Sequence, residues 1–229
     1  MRTLPALFAA ALFALASTAH ALSLGDLTNK DASGGLKEAL TQGAGTAVDL
    51  LGKNDGFLGN PKVKIPLPEG LRDVEGLMRG MGMGKYADEL VTAMNRAAEA
   101  AVPEAKTLLV NSIKQMSVQD AKGILAGGDD AATQYFRRTT SKPLGDKFRP
   151  IVQKAMGKVK LAEKYDKFAG KAVKLGLVKE ENARLENYVT QKALDGLYLM
   201  IAEEEKAIRK DPVGAAGSLA KKVFGALSN

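Results

Sequence analysis

Cysteine and tryptophan are absent from this chain, histidine occurs once, and aromatic residues make up 5% of it. Each absence removes a class of chemistry. Without cysteine there are no disulfide staples, so packing alone must hold the fold. The lone histidine, His20, sits in an N-terminal segment read below as a cleavable leader. The remainder then has neither an imidazole base nor a thiolate. Ser-His-Asp and Cys-His nucleophiles are excluded, along with thiol-attached haem. Zinc and most redox metals lose their preferred ligands, so no metal and no cofactor is expected. Catalysis, if any, is confined to carboxylate, lysine, tyrosine or arginine groups.

The first residues have the three parts of a secretory signal. Arg2 is the only charge before Asp26, an apolar run spans Leu4 to Ala16, and small residues lead to Ala19-His20-Ala21. A basic start, a short greasy stretch and an A-x-A site define such a leader. The run is shorter than the roughly 20 residues of a membrane span. Cleavage after Ala21 is expected to leave residues 22–229 as one domain with no transmembrane segment. Losing Arg2 lowers the net charge from +7 to +6. No cysteine follows the site, which closes the lipoprotein route. The expected location is a bacterial periplasm. There the basic character points to an anionic lipid, lipopolysaccharide or cell-wall polymer rather than to nucleic acid.

Apolar residues recur at helical spacing nearly throughout, which predicts an all-α, compact multi-helix bundle of about nine helices. Ser33 suits the cap of a first helix carrying Leu36, Leu40, Val48 and Leu51, weakened in its middle by Gly43 and Gly45. Residues 53–68 interrupt the pattern. Val63-Lys64-Ile65 alternates between prolines 61 and 66, reading as an extended Pro-rich loop or a short edge strand. A second helix starts near Pro68 and stops at Gly80, Gly82 and Gly84. A third runs from Lys85, with Pro103 restarting it. Ser117-Val-Gln-Asp120 reads as a capping box whose helix closes at Gly127-Gly128. Asp129 or Asp130 would cap 131–138. Further helices are expected over about 143–158, with Pro150 as a kink or boundary, then over 160–176, 180–210 and 212–227.

Several motifs occur in a fixed order: Gly35-Leu-Lys-Glu-Ala-Leu40, Asp55-Gly-Phe-Leu-Gly-Asn-Pro61, Ile65-Pro-Leu-Pro68, Asn95-Arg-Ala-Ala-Glu99, Ala131-Ala-Thr-Gln-Tyr-Phe136, Asn187-Tyr-Val-Thr190 and Ala193-Leu-Asp-Gly196. In these the chain resembles the bacterial exported family catalogued as domain of unknown function 4197. The resemblance implies an exported, mainly helical domain without an established activity, and it supplies no catalytic residues.

Three local features invite chemistry. Arg79-Gly-Met-Gly-Met-Gly-Lys85-Tyr86 fails the phosphate-loop spacing and lacks its Ser/Thr, so a helix–helix turn is the plainer reading. Met78, Met81 and Met83 could hold Cu(I), but methionines also fill core gaps. Glu203-Glu204-Glu205 and Asp129-Asp130 are acidic clusters. Adjacent acids on a helix diverge, so Glu205–Arg209 reads as an i,i+4 pair on a solvated face. A carboxylate enzyme acting on cell wall or glycan would need two acids across a cleft, one with a raised pKa.

The basic stretch is the most informative feature. From Arg137 to Lys179 there are 13 basic residues against three acids, a local balance of +10. Lys160, Lys164, Lys167, Lys171 and Lys174 repeat at steps of four and three, on one helix face beside the stripe of Leu161, Tyr165, Phe168, Ala172 and Leu175. The stripe can simply face the core, and the lysines can meet an anionic surface. The leading expectation is therefore a non-enzymatic exported binding protein. Its basic face would meet an anionic envelope component, and an apolar cleft between helices would suit an acyl chain. The alternatives are the carboxylate enzyme and a structural assembly partner in the periplasm.

Overall fold

The structure, a computed structural model, describes residues 29–69, 75–76, 79–82, 84–157, 162 and 184–211. Among these residues are six α-helices and one 3-10 turn, with no strand. The all-α expectation holds. The helix count differs from nine: most of the expected second helix, from Pro68 to Gly80, lies outside the described residues, and the third is divided in two at Val102–Glu104. The expected helices at 160–176 and 212–227 lie outside the described residues, save Ala162. Two others, 131–138 and 143–158, are one continuous helix.

Helix α1 (Asn29–Gly52) buries Leu36, Leu40, Val48 and Leu51, the face expected from the spacing. Ser33 lies inside it, not at its cap, and the helix continues through Gly43 and Gly45. Gly43 brings a neighbour close: a Cβ there would stand 3.2 Å from Ile208 Cδ1. Helix α2 (Gly84–Ala101) buries Leu90, Met94, Asn95 and Glu99. The 3-10 turn Val102–Glu104 contains Pro103 and passes to α3 (Ala105–Gln115), as the proline predicted. The Ser117 capping box forms as read. Asp120 N donates to Ser117 Oγ (3.0 Å) and Ser117 N to Asp120 Oδ2 (3.2 Å), opening α4 (Val118–Ala126).

Helix α5 (Ala131–Met156) continues through Pro143 and Pro150, so Pro150 is not a boundary. An interior proline removes one backbone hydrogen bond and crowds the preceding turn, and alone would cost about 3 kcal/mol. Packing overrides it here. Phe136, Leu144, Phe148 and Val152 are fully buried, at the four- and eight-residue spacing of one face. That face lies against α6 (Leu185–Lys210), whose Leu185, Val189, Ala193, Leu197 and Ile201 recur at the same interval. Tyr198, also on α6, is buried with its hydroxyl satisfied. Thr140 Oγ1 donates to Phe136 O (2.6 Å), so the Tyr198 hydroxyl donates to Thr140 Oγ1 (2.8 Å).

The segment after α1 is the expected Pro-rich extended element. Val63, Ile65 and Leu67 point inward while Lys64 and Pro66 are exposed, so the alternation was a true signal. Its partner is a side chain, not a strand. Asn95 accepts from Ile65 N at Oδ1 (2.8 Å) and donates from Nδ2 to Ile65 O (2.9 Å), reproducing both bonds of a β pair.

A polar cleft between two long helices

Most of the ordered motifs serve as fasteners. Glu99, buried on α2, accepts from Phe57 N and Leu58 N at 3.0 Å each. Its second oxygen takes Arg96 (2.6 Å), which also reaches Asp55 (2.8 Å). Asp55 holds a left-handed φ of 63° that starts this loop. Gly196 leaves room for the loop's aromatic ring: a Cβ there would stand 2.7 Å from Phe57 Cε1. Tyr188 OH donates to Pro66 O (3.1 Å), and Tyr135 OH to Ser112 O (2.8 Å). These groups hold the fold through their mutual bonds.

The acidic clusters are also employed. Glu205 is buried, not on a solvated face. It accepts from Ala132 N, Thr133 N and Thr133 Oγ1, each at 2.9 Å, and from Arg209 Nη2 at 2.9 Å. It therefore supplies the N-terminal cap of α5. Asp130 occupies the N-cap position but makes no side-chain cap bond; it accepts from Gln134 Nε2 instead. A carboxylate at a helix start satisfies orphan amides and the positive end of the dipole together. Glu203 pairs with Lys62 at 2.6 Å. Burial pushes the Glu204 carboxyl up, helped by the charge of Glu203. In four clefts lined by described residues a single carboxylate stands in each: Asp146, Glu38, Glu205 and Asp49.

The glycine run contains a helix–helix turn, with Gly82 at φ 74°. Arg79 there pairs with Glu75 (2.7 Å) and Asp88 (2.6 Å). Met81 is 64% exposed and fills no gap in the core, while Met78 and Met83 lie outside the described residues. Among the described residues no group of three or more His, Cys, Asp or Glu could hold a metal. The leader positions Ala19 and Ala21 lie outside the described residues. So does the whole lysine face of Lys160, Lys164, Lys167, Lys171 and Lys174.

What the sequence reading missed is a cleft of about 570 Å³ between α5 and α6. One wall carries Ser141, Lys142, Gly145, Asp146 and Arg149; the other carries Asn187, Thr190, Gln191 and Leu194. Steps of three and four put each set on one helix face. Lys142 pairs with Asp146 at 2.8 Å. That hydrogen bond holds the Asp146 carboxyl below its usual range, and Arg149 adds to the effect. Arg149 is exposed and has no ion pair among the described residues, so the cleft carries a surplus positive charge. Gly145 leaves open space: a Cβ there would meet only Leu194 Cδ1, at 3.8 Å.

Thr190 stands apart chemically. It is 5% exposed, and its Oγ1 is the one buried side-chain polar atom without a hydrogen-bond partner among the described residues. Helical Ser and Thr usually bond back to the carbonyl four residues earlier. Thr41, Thr139, Thr140 and Ser141 all do so. The signals were present as Asn187-Tyr-Val-Thr190 and a glycine inside a basic helix. Nothing in the chain order said that the two faces would meet.

The second cleft, about 510 Å³, is a groove between α1 and α3 lined by Val110 and Ile113 with Lys37 and Lys114. No helix among the described residues is long and apolar enough to cross a membrane. The fold and cleft define an all-helical domain with a cationic, hydroxyl- and amide-lined opening between its two longest helices. The chain belongs to the family described as protein of unknown function (DUF4197), whose model matches residues 26–225. No curated protein and no solved structure matches it.

Proposed function

We propose that the protein is a non-enzymatic binding protein of the bacterial envelope, exported by its leader, that takes an anionic component. The observation that carries this reading is the cation surplus from Arg137 to Lys179. In its described part, Lys147, Arg149 and Lys154 on α5 are exposed and have no ion pair among the described residues. A one-signed cluster of this kind focuses field toward an anionic partner. In the four clefts named above the carboxylate stands alone, which favours binding there over a two-acid hydrolysis. The lysines at 160, 164, 167, 171 and 174, which lie outside the described residues, add five of the thirteen cations of this stretch.

Vesicle sedimentation tests this. The chain is expected to sediment with phosphatidylglycerol vesicles and not with phosphatidylcholine. Molar salt, with a screening length of about 3 Å, should release it. Changing Lys160, Lys164, Lys167 and Lys171 together to Glu should weaken retention by about tenfold or more. Equal binding to both vesicle types, or an unaffected quadruple variant, would show the basic surface to be mere solvation.

A further inference from the structure

We infer that the α5–α6 cleft is a binding site for a phosphorylated polyol, either free or as the headgroup of a lipid. The inference rests on the anionic reading above and gives it a specific pocket. Its volume of about 570 Å³ suits a small molecule rather than a polymer.

The charges select the anion. Lys142 and Arg149 are seven residues apart, about 10 Å along α5, with Gly145 between them. Two cations set apart along one wall, Lys142 beside Asp146 and Arg149 without an ion pair among the described residues, match a tetrahedral phosphate, whose oxygens point both ways. A planar carboxylate presents its two oxygens to one side. Two cations and the single Asp146 leave one surplus positive charge, which a phosphodiester monoanion neutralises.

The uncharged wall selects what the phosphate carries. Asn187 makes no side-chain hydrogen bond among the described residues, and the Thr190 hydroxyl is buried and unsatisfied. A buried polar atom without a partner is a standing cost, relieved when a ligand supplies one. Hydroxyl groups both donate and accept, so they can answer an amide and a hydroxyl together. Asp146, an acid beside the anion site, repels a bare phosphate but accepts from a hydroxyl. It therefore favours a polyol ester over the inorganic ion.

The test is titration of the full chain with glycerophosphoglycerol, the deacylated headgroup of phosphatidylglycerol, followed by amide NMR. Inorganic phosphate and phosphatidylglycerol vesicles serve as parallel probes. Shifts should centre on Gly145, Asn187 and Thr190. Arg149→Glu should weaken binding about tenfold, the scale of one lost charge-assisted hydrogen bond. Thr190→Val should weaken it several-fold while leaving the melting temperature of the free protein equal or higher, since it removes an unsatisfied hydroxyl. Gly145→Leu should block the cleft.

Binding to vesicles alone, lost in Thr190→Val and Gly145→Leu, supports the site and identifies the lipid as its source. Three results would overturn it: inorganic phosphate binding as tightly as the diester, both cleft variants binding like the parent, or Thr190→Val melting early with affinity unchanged. Cleft variants without effect, alongside a quadruple lysine variant that has lost vesicle binding, would overturn the cleft and leave the broader reading standing.

Discussion

Glu205 joins two helix ends that are more than 70 residues apart in the chain. Its carboxylate meets Ala132 N, Thr133 N, the Thr133 hydroxyl and Arg209, all with little access to water. Arg209 in turn donates to Ile124 O at the end of α4 (2.9 Å). Removing one member of such a buried set leaves the others desolvated and unpaired. Glu205→Ala is therefore expected to cost about 3–5 kcal/mol in chemical denaturation. Glu205→Gln keeps an acceptor oxygen for the amides and should cost less. A loss below about 1 kcal/mol in the alanine variant would mean that the cap is dispensable, as for an exposed pair. The sequence showed Glu205 and Arg209 as a helical pair and stopped there. Nothing in the local pattern distinguishes an acid facing solvent from one facing another helix's first turn. The Ser117 capping box was legible because both partners lie three residues apart.

Helix α5 shows where element-level reading succeeds and fails. Helices over 131–138 and 143–158 are expected from the recurrence of apolar residues, and both lie within it. Its continuity was hidden by Pro143 and Pro150, because propensity argues for a break and only the burial on α6 argues against it. Gly145 in the same helix is the complementary case. No turn or positive φ requires a glycine there, and a Cβ would make one ordinary contact. Gly145→Ala should therefore raise stability by about 0.5–1 kcal/mol, read as a higher denaturation midpoint with an unchanged slope. A fall would show that the helix needs the glycine for its own packing. A rise fits a residue kept for the space it leaves in the cleft. The cleft itself was not legible, since it arises only when the 141–149 face and the 187–194 face are set side by side.

Over the whole molecule, the acids respond to pH in two directions. Asp88, Asp120 and Asp146 are held low by Arg79, Ser117 and Lys142 respectively. A depressed carboxyl contributes stability above its unfolded pKa, near 3.8, and loses it as pH falls through the folded value. Stability is thus expected to decline below about pH 4. Glu204 has the opposite sign. Its pKa is raised above 4.5, so its contribution is complete below that value and is lost as pH rises through the folded pKa. Glu204→Gln should stabilise the protein at pH 7 and do little at pH 4, measured by thermal melts at both. Equal effects at both pH values would place the cause in packing rather than charge. The fastening of residues 63–66 has a different consequence. Val63 N and Lys64 N bond to Asn60 O, both backbone groups of Ile65 are taken by Asn95, and Pro66 O accepts from Tyr188. The one stretch with a strand-like rhythm therefore offers a second molecule no free N–H between residues 63 and 66 on which to pair, which removes half of what an exposed strand edge would present to a templating chain.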